Sequence, residues 1–432
     1  MGKSEQKEKN KLGFWSIVLI GINGIIGSGI YLIPNSAYAK VGTASLLTFL
    51  LAAVLVLTVA LSIAQNASLF KEDGGPYLYA KEAFGDFVGY IVGLLNCMLQ
   101  ITILATIISG LVKILGGSLS FLSGEFTQKV LTVAIFAVLA IINLSGVTLA
   151  KYINNIMTIA KLLPLVLFIV IGVFFIKQGN YSPVVPPQGI SFDSFSQAIL
   201  LIYFAFGGFE SLPLIAADMK NPTRNLPRAL VTIIALVSAF YILLQAVSIG
   251  ILGTELAQNT VPVQAAFGRI LGPVGSGIVA VGSVVSMAGA AMAVALWAPR
   301  PVGAMAQNGM LPKVLAKKNA KNVPAVAIIV TYVLSMLLSL SGGFEILSQL
   351  TSVISLVIFL PTTLSVMVFH FTKKDVERPV NIKGSLYIAG FATILILILL
   401  TQTSAVQLLS AGAAIVFSAI MYFITQKSRK KA

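Results

Sequence analysis

Charge is scarce in this 432-residue chain: 10% of residues are Asp, Glu, Lys or Arg against 57% hydrophobic, and mean hydropathy is +0.95. A water-soluble domain of this size has to expose more polar surface than that. The single cysteine, Cys97, excludes an intrachain disulfide and a multi-thiolate metal site, and its place in an apolar run marks a packing residue. The single histidine, His370, sits beside Lys373 and Lys374 at the end of an apolar run, as an interfacial residue does. One histidine, one cysteine and one carboxylate deep within the apolar runs supply neither a conventional metal centre nor a Ser-His-Asp triad. No enzyme activity, metal or cofactor is expected.

What the chain has in abundance is apolar runs about as long as a bilayer core is thick, roughly 20 residues each. They predict an all-α polytopic membrane protein of about twelve spans: 12–37, 42–69, 83–115, 129–149, 152–176, 192–217, 228–252, 277–306, 323–340, 344–371, 385–400 and 405–425. The first run follows a polar start and lacks a cleavage-site pattern, so it reads as a span and not a signal peptide. The stretch 254–273 is too polar to cross and reads as a loop with a short helix. No break between spans is long enough to bury a soluble core.

The net charge of +15 could suggest a nucleic-acid partner, but the basic residues are spread among the short breaks and do not line one face. With twelve spans, 23 of the 29 Lys and Arg fall on one side and five on the other, which makes both termini cytoplasmic by the positive-inside rule. The expected location is the plasma membrane of a bacterial cell. Residues 1–11 and 426–432 become cytoplasmic tails.

Two spans carry glycine interruptions: Gly21 to Ile30 in the first, and Phe206-Gly207-Gly208-Phe209-Glu210 in the sixth. Each glycine weakens a helix by about 1 kcal/mol relative to alanine, and unsatisfied backbone in hydrocarbon costs several kcal/mol per group. Unwinding therefore has to face a polar cavity or a ligand. A half-helix beginning near Gly29 would aim free N–H groups at a carboxylate. Carbonyls freed at Ile25, Phe204 and Gly207 would suit an ammonium group, and the two features together fit an α-amino acid backbone. Gly27 and Gly29 taken alone fit close helix packing equally well; the second break, in a corresponding position if 12–177 and 192–371 are two repeats, favours a midplane site.

At these residues the chain resembles the amino acid, polyamine and organocation (APC) transporters. The likeness is carried by Gly24 to Pro34, by Asp73-Gly74-Gly75-Pro76-Tyr77-Leu78-Tyr79 with Glu82-Ala83-Phe84-Gly85, and by Phe204 to Ser211. Two further stretches are Lys220 to Ala229, and Arg300 with Ala304 to Pro312. It departs from the common pattern at Asp218, where many members have glutamate. The resemblance implies a LeuT-like five-plus-five inverted repeat with two extra C-terminal helices over 384–425. It further implies substrate carboxylate binding at Gly27, Ser28 and Gly29, amine binding by backbone oxygens of Ile25, Phe204 and Gly207, and an aromatic gate at Phe204 or Phe206.

Three polar residues inside spans remain. Gln100 resembles, by its spacing from Phe84, a pocket residue that contacts the substrate side chain; an amide bonding a neighbouring helix is the other reading. Glu210 either relays protons or caps the second half of its helix, the cap being favoured. Lys161 lies ten residues beyond Lys151, about 15 Å into its span and out of snorkelling range. By resemblance to members that do without sodium, its ammonium takes the place of a cation and bridges the first span to the eighth, which would couple protons to substrate. Loop arginines Arg224, Arg228 and Arg300 have Glu82 and Asp86 as candidate partners.

The expected activity is therefore secondary active transport of an amino acid by alternating access, proton-coupled and sodium-independent. The substrate is expected to be neutral, because Ala290 to Trp297 is small and apolar and no spare acidic residue awaits a cationic side chain. Obligate exchange is the alternative, and an amino acid sensor or channel the reading from another class. Expected partners are the amino acid, protons and the bilayer.

Overall fold

The computed structural model describes residues 12–27, 29–70, 75–145, 152–186, 189–210, 212, 219–320, 323–373, 380 and 382–429, without the side chains of 152–160, 222–223 and 427–429. Among them the backbone is helical, with no strand beyond one isolated bridge between Leu12 and Met219.

The helices are α1 Phe14–Ile25, α2 Gly29–Val41, α3 Ser45–Ala67, α4 Gly75–Phe84, α5 Asp86–Ser118, α6 Glu125–Leu144 and α7 Tyr152–Gly172. They continue as α8 Phe192–Ala205, α9 Pro222–Leu252, α10 Pro262–Trp297, α11 Arg300–Gln307, α12 Ala325–Ser341, α13 Phe344–Thr372, α14 Ser385–Thr401 and α15 Ala405–Arg429. Seven stretches among the described residues are long and apolar enough to cross a membrane, and α1, α8, α12, α14 and 161–175 are shorter apolar helices. Two of the short ones, α1 and α8, end where the glycine interruptions begin.

The boundaries differ from the sequence reading where glycine intervenes. The run expected at 83–115 begins at Asp86, because Gly85 at φ 90 ends α4 and starts a new helix. The segment 254–273 is a 3-10 turn followed by a helix that kinks at Gly272 (φ 61) before Pro273. Beyond Trp297 the chain turns into the separate helix α11 instead of continuing to 306.

The core is one extended apolar cluster with two smaller ones beside it, around Phe136 and Tyr332 and around Cys97 and Met305. The extended cluster runs from Ile17 and Ile30 through Phe49, Val59 and Leu230 to Phe359 and Phe369, and so joins α1, α2, α3, α9 and α13. Hydroxyls inside the helices are quenched locally: Thr106 on Thr102, Ser248 on Leu244 and Thr362 on Ile358 donate one turn back to their own helix. Polar side chains that do cross between helices include Asn66, which donates to the Thr362 carbonyl (2.8 Å), and Gln407, which donates to Gln349 (2.7 Å).

Candidate functional site

Both glycine interruptions are breaks in the structure. α1 ends at Ile25, Ile26 is extended (φ −68, ψ 96), and α2 starts at Gly29. In the other break the N–H groups of Phe206 and Gly207 close tight turns on the Tyr203 and Phe204 carbonyls, each at 3.1 Å, and Gly208 takes φ 110. Ser28, Ser211 and Asp218 lie outside the described residues, as do Asp73 and Gly74 of the first-loop motif and both expected terminal tails except 426–429.

The breaks cross backbone to backbone. A Cβ on Gly208 would stand 2.6 Å from the Gly24 carbonyl oxygen, and one on Gly29 would stand 3.1 Å from the Ala205 Cα. Gly208 has to be glycine twice over, for its φ and for this approach. Gly24 and Gly207 stay accessible at the crossing, so backbone polar groups of both segments are presented together.

Three side chains hold the crossing. Tyr241 of α9, fully buried, donates to the Ala205 carbonyl (2.9 Å) and stands 3.3 Å from the Ile25 carbonyl, so one phenol spans both breaks. Lys161 of α7 straddles the first break: its ammonium donates to the Asn23 carbonyl before it, while Tyr31 beyond it donates to the Lys161 carbonyl (2.6 Å). Glu210 accepts the Gly208 N–H at 2.9 Å, which places its carboxylate as a cap on the break itself.

The expected site residues have neighbours that the sequence does not announce. The Ile25 carbonyl is not left free, since the Tyr241 hydroxyl lies against it, and the Phe204 carbonyl is taken by the Gly207 N–H. The two aromatics separate: Phe206 is fully buried against Tyr241 (ring centroids 5.2 Å), whereas half-buried Phe204 meets Phe344 of α13 edge to face at 5.9 Å. The Lys161 ammonium reaches α1, but no bond from it to α10 is present among the described residues. Gln100 keeps its Oε1 buried and unbonded, as do the Asn23 Oδ1 and the Tyr203 and Ser286 hydroxyls, so the expected amide bond to a neighbouring helix is not made through that oxygen. Among the described ion pairs Glu82 meets Lys373 (3.2 Å) and Asp86 meets Lys81 (3.4 Å), in place of the arginines.

Sequence reading missed Tyr241 and Tyr31. Their only local signal is a phenol inside an apolar run, which needs a hydrogen-bond partner when buried.

The relatives of the chain give its family. It matches the amino acid permease family over residues 12–425 and belongs to it, within the APC superfamily. A branched-chain amino acid permease of Bacillus subtilis is 26% identical over 99% of this chain and 95% of its own length. A serine/threonine exchanger of the same organism is 28% identical, covering 87% and 86%. An uncharacterized transporter of Mycobacterium tuberculosis is 32% identical, covering 78% and 75%. These relatives are transporters and not enzymes, and the chain is a multi-pass membrane transporter of the amino acid permease type.

Proposed function

We propose that this chain moves a neutral amino acid across the plasma membrane by alternating access, with the crossing of the two breaks as its substrate site. The observation that carries this is the pair of close backbone approaches, Gly208 on Gly24, which requires glycine, and Gly29 on Ala205, which leaves little room for a side chain; together they bring the two interrupted segments side by side. On this reading Gly27, Ser28 and Gly29 take the carboxylate. Ile25, Phe204 and Gly207 offer carbonyl oxygen to the amine, the first after Tyr241 gives way and the second after the turn at Gly207 loosens. Phe204 is the gate, and Gln100 faces the substrate side chain with an unused acceptor.

The architecture that goes with it is twelve spans in a five-plus-five inverted repeat followed by two helices, α14 and α15. α1 with α2 and α8 with its continuation open the two repeats, and both termini are cytoplasmic. A neutral substrate is supported by the described residues at the crossing, among which Glu210 is the one acidic side chain and its carboxylate is engaged by Gly208. Lys161 is the coupling residue. Its ammonium already ties α7 to the helix whose break binds substrate, so a proton lost or gained there alters how that break is held. Sodium is not required.

The test is uptake into proteoliposomes of neutral, cationic and anionic amino acids, with and without a pH gradient and without sodium. Accumulation of a neutral amino acid that collapses with the gradient is the expected result; a strict sodium requirement would overturn the coupling. Similarity to the serine/threonine exchanger gives a second reading, obligate exchange. It predicts uptake only into vesicles preloaded with amino acid.

A further inference from the structure

One charged cluster lies outside the crossing. Glu345, in the first turn of α13, accepts from the Ser36 hydroxyl of α2 at 2.5 Å and pairs with Lys113 of α5 at 3.6 Å. Three helices meet at this carboxylate, and one of them is the second half of the first broken helix. Its chain neighbour Phe344, buried to 2% exposure, is the ring that Phe204 meets. Phe344 in turn is seated against Gly110 of α5, where a Cβ would stand 2.9 Å from the ring and 2.5 Å from the Met287 methyl. Gly110 and Lys113 are one helical turn apart, so α5 touches the start of α13 twice, apolar at Gly110 and ionic at Lys113.

Partly exposed ion pairs of this kind contribute little to the stability of a fold. A pair that bridges elements with two arrangements can still bias which one is populated. We propose that the first turn of α13 is a positioning element for the gating aromatic: Lys113 and Ser36 hold Glu345, and with it Phe344, over Phe204 while the outer mouth is shut. Release of Glu345 frees Phe344 and lets Phe204 swing. The inference rests on the reading of Phe204 as the gate and on the orientation given above.

A reporter thiol tests it without any substrate. Ser348, fully buried one turn further along α13, becomes cysteine in a Cys97→Ser background. Intact cells are then treated with a charged, membrane-impermeant thiol reagent. Lys113→Glu and Glu345→Lys, each of which sets like charges together, should raise the labelling rate by up to about fivefold, the population change that loss of such a pair allows. The double exchange Lys113→Glu with Glu345→Lys should return it toward the parent rate, which a merely misfolded protein would not do. Labelling unchanged in both single variants, or as fast in the double variant as in the singles, would overturn the proposal. The predicted labelling pattern in a protein that neither accumulates nor exchanges a neutral amino acid would instead leave the clamp standing and remove the substrate reading proposed above.

Discussion

The two broken helices and the two C-terminal helices are made of the same apolar residue types and behave oppositely. Along α15, Val406, Leu409, Val416, Phe417, Ile420 and Phe423 are exposed, and the serine hydroxyls Ser410 and Ser418 bond back to their own helix. Such a helix satisfies its backbone internally and offers its surface to lipid. At the crossing of α1, α2 and α8 the backbone is interrupted, and partners come from Tyr241 and Lys161 elsewhere in the chain and from Glu210 within the second break. An interruption survives in the membrane interior where other elements supply the missing bonds, and it is there that a substrate can exchange with them.

The largest expected difference between the regions is steric. Gly208→Val forces a β-branched residue into positive φ and onto the Gly24 carbonyl, and should cost more than about 3 kcal/mol, read as loss of monodisperse protein or a collapse in thermal stability. Next comes coupling. Lys161→Ala and Lys161→Gln should lose pH-gradient-driven accumulation in proteoliposomes while keeping slow exchange; wild-type accumulation by either would remove Lys161 from that role. Tyr241→Phe strips the hydroxyl shared by both breaks and leaves the Ala205 carbonyl buried without it, so it should lower stability by about 1 kcal/mol and slow turnover. Phe204→Leu should slow turnover more than it weakens binding, whereas Phe206→Leu, deep against Tyr241, should act on stability; identical effects would undo the separation of the two rings. The smallest effect belongs to the C-terminal pair: Leu409→Ala, on the exposed face of α15, should change stability by less than about 0.5 kcal/mol and leave transport alone.

Much of this contrast was legible beforehand, because it is written in composition. Low charge and long apolar runs declare the membrane, and clustered glycines, flanked by aromatics in the second case, declare the breaks at Gly27 and Gly207. What periodicity cannot reveal is which distant residue answers an exposed carbonyl. Tyr241 is 36 residues from Ala205 and 216 from Ile25, and only packing of α9 against both breaks brings it there. The pairing of Glu82 with Lys373, and not with an arginine of a loop, is settled by the neighbouring rings: the Lys373 ammonium also lies 4.7 Å over Phe70 and 5.0 Å over Phe369. The glycine at 110 looked like any other in an apolar run, and its meaning comes from Phe344 and Met287, which sit far along the chain.

Binding of a radiolabelled neutral amino acid to purified protein, wild type beside Gly29→Val, tests the central claim most directly. The added side chain at the start of α2 would press on Ala205 at the end of α8 and block the N–H groups assigned to the carboxylate. Saturable binding by the wild type, and none by a Gly29→Val protein that remains monodisperse, is the predicted result. Wild-type affinity in Gly29→Val would contradict the account and place the substrate away from the crossing.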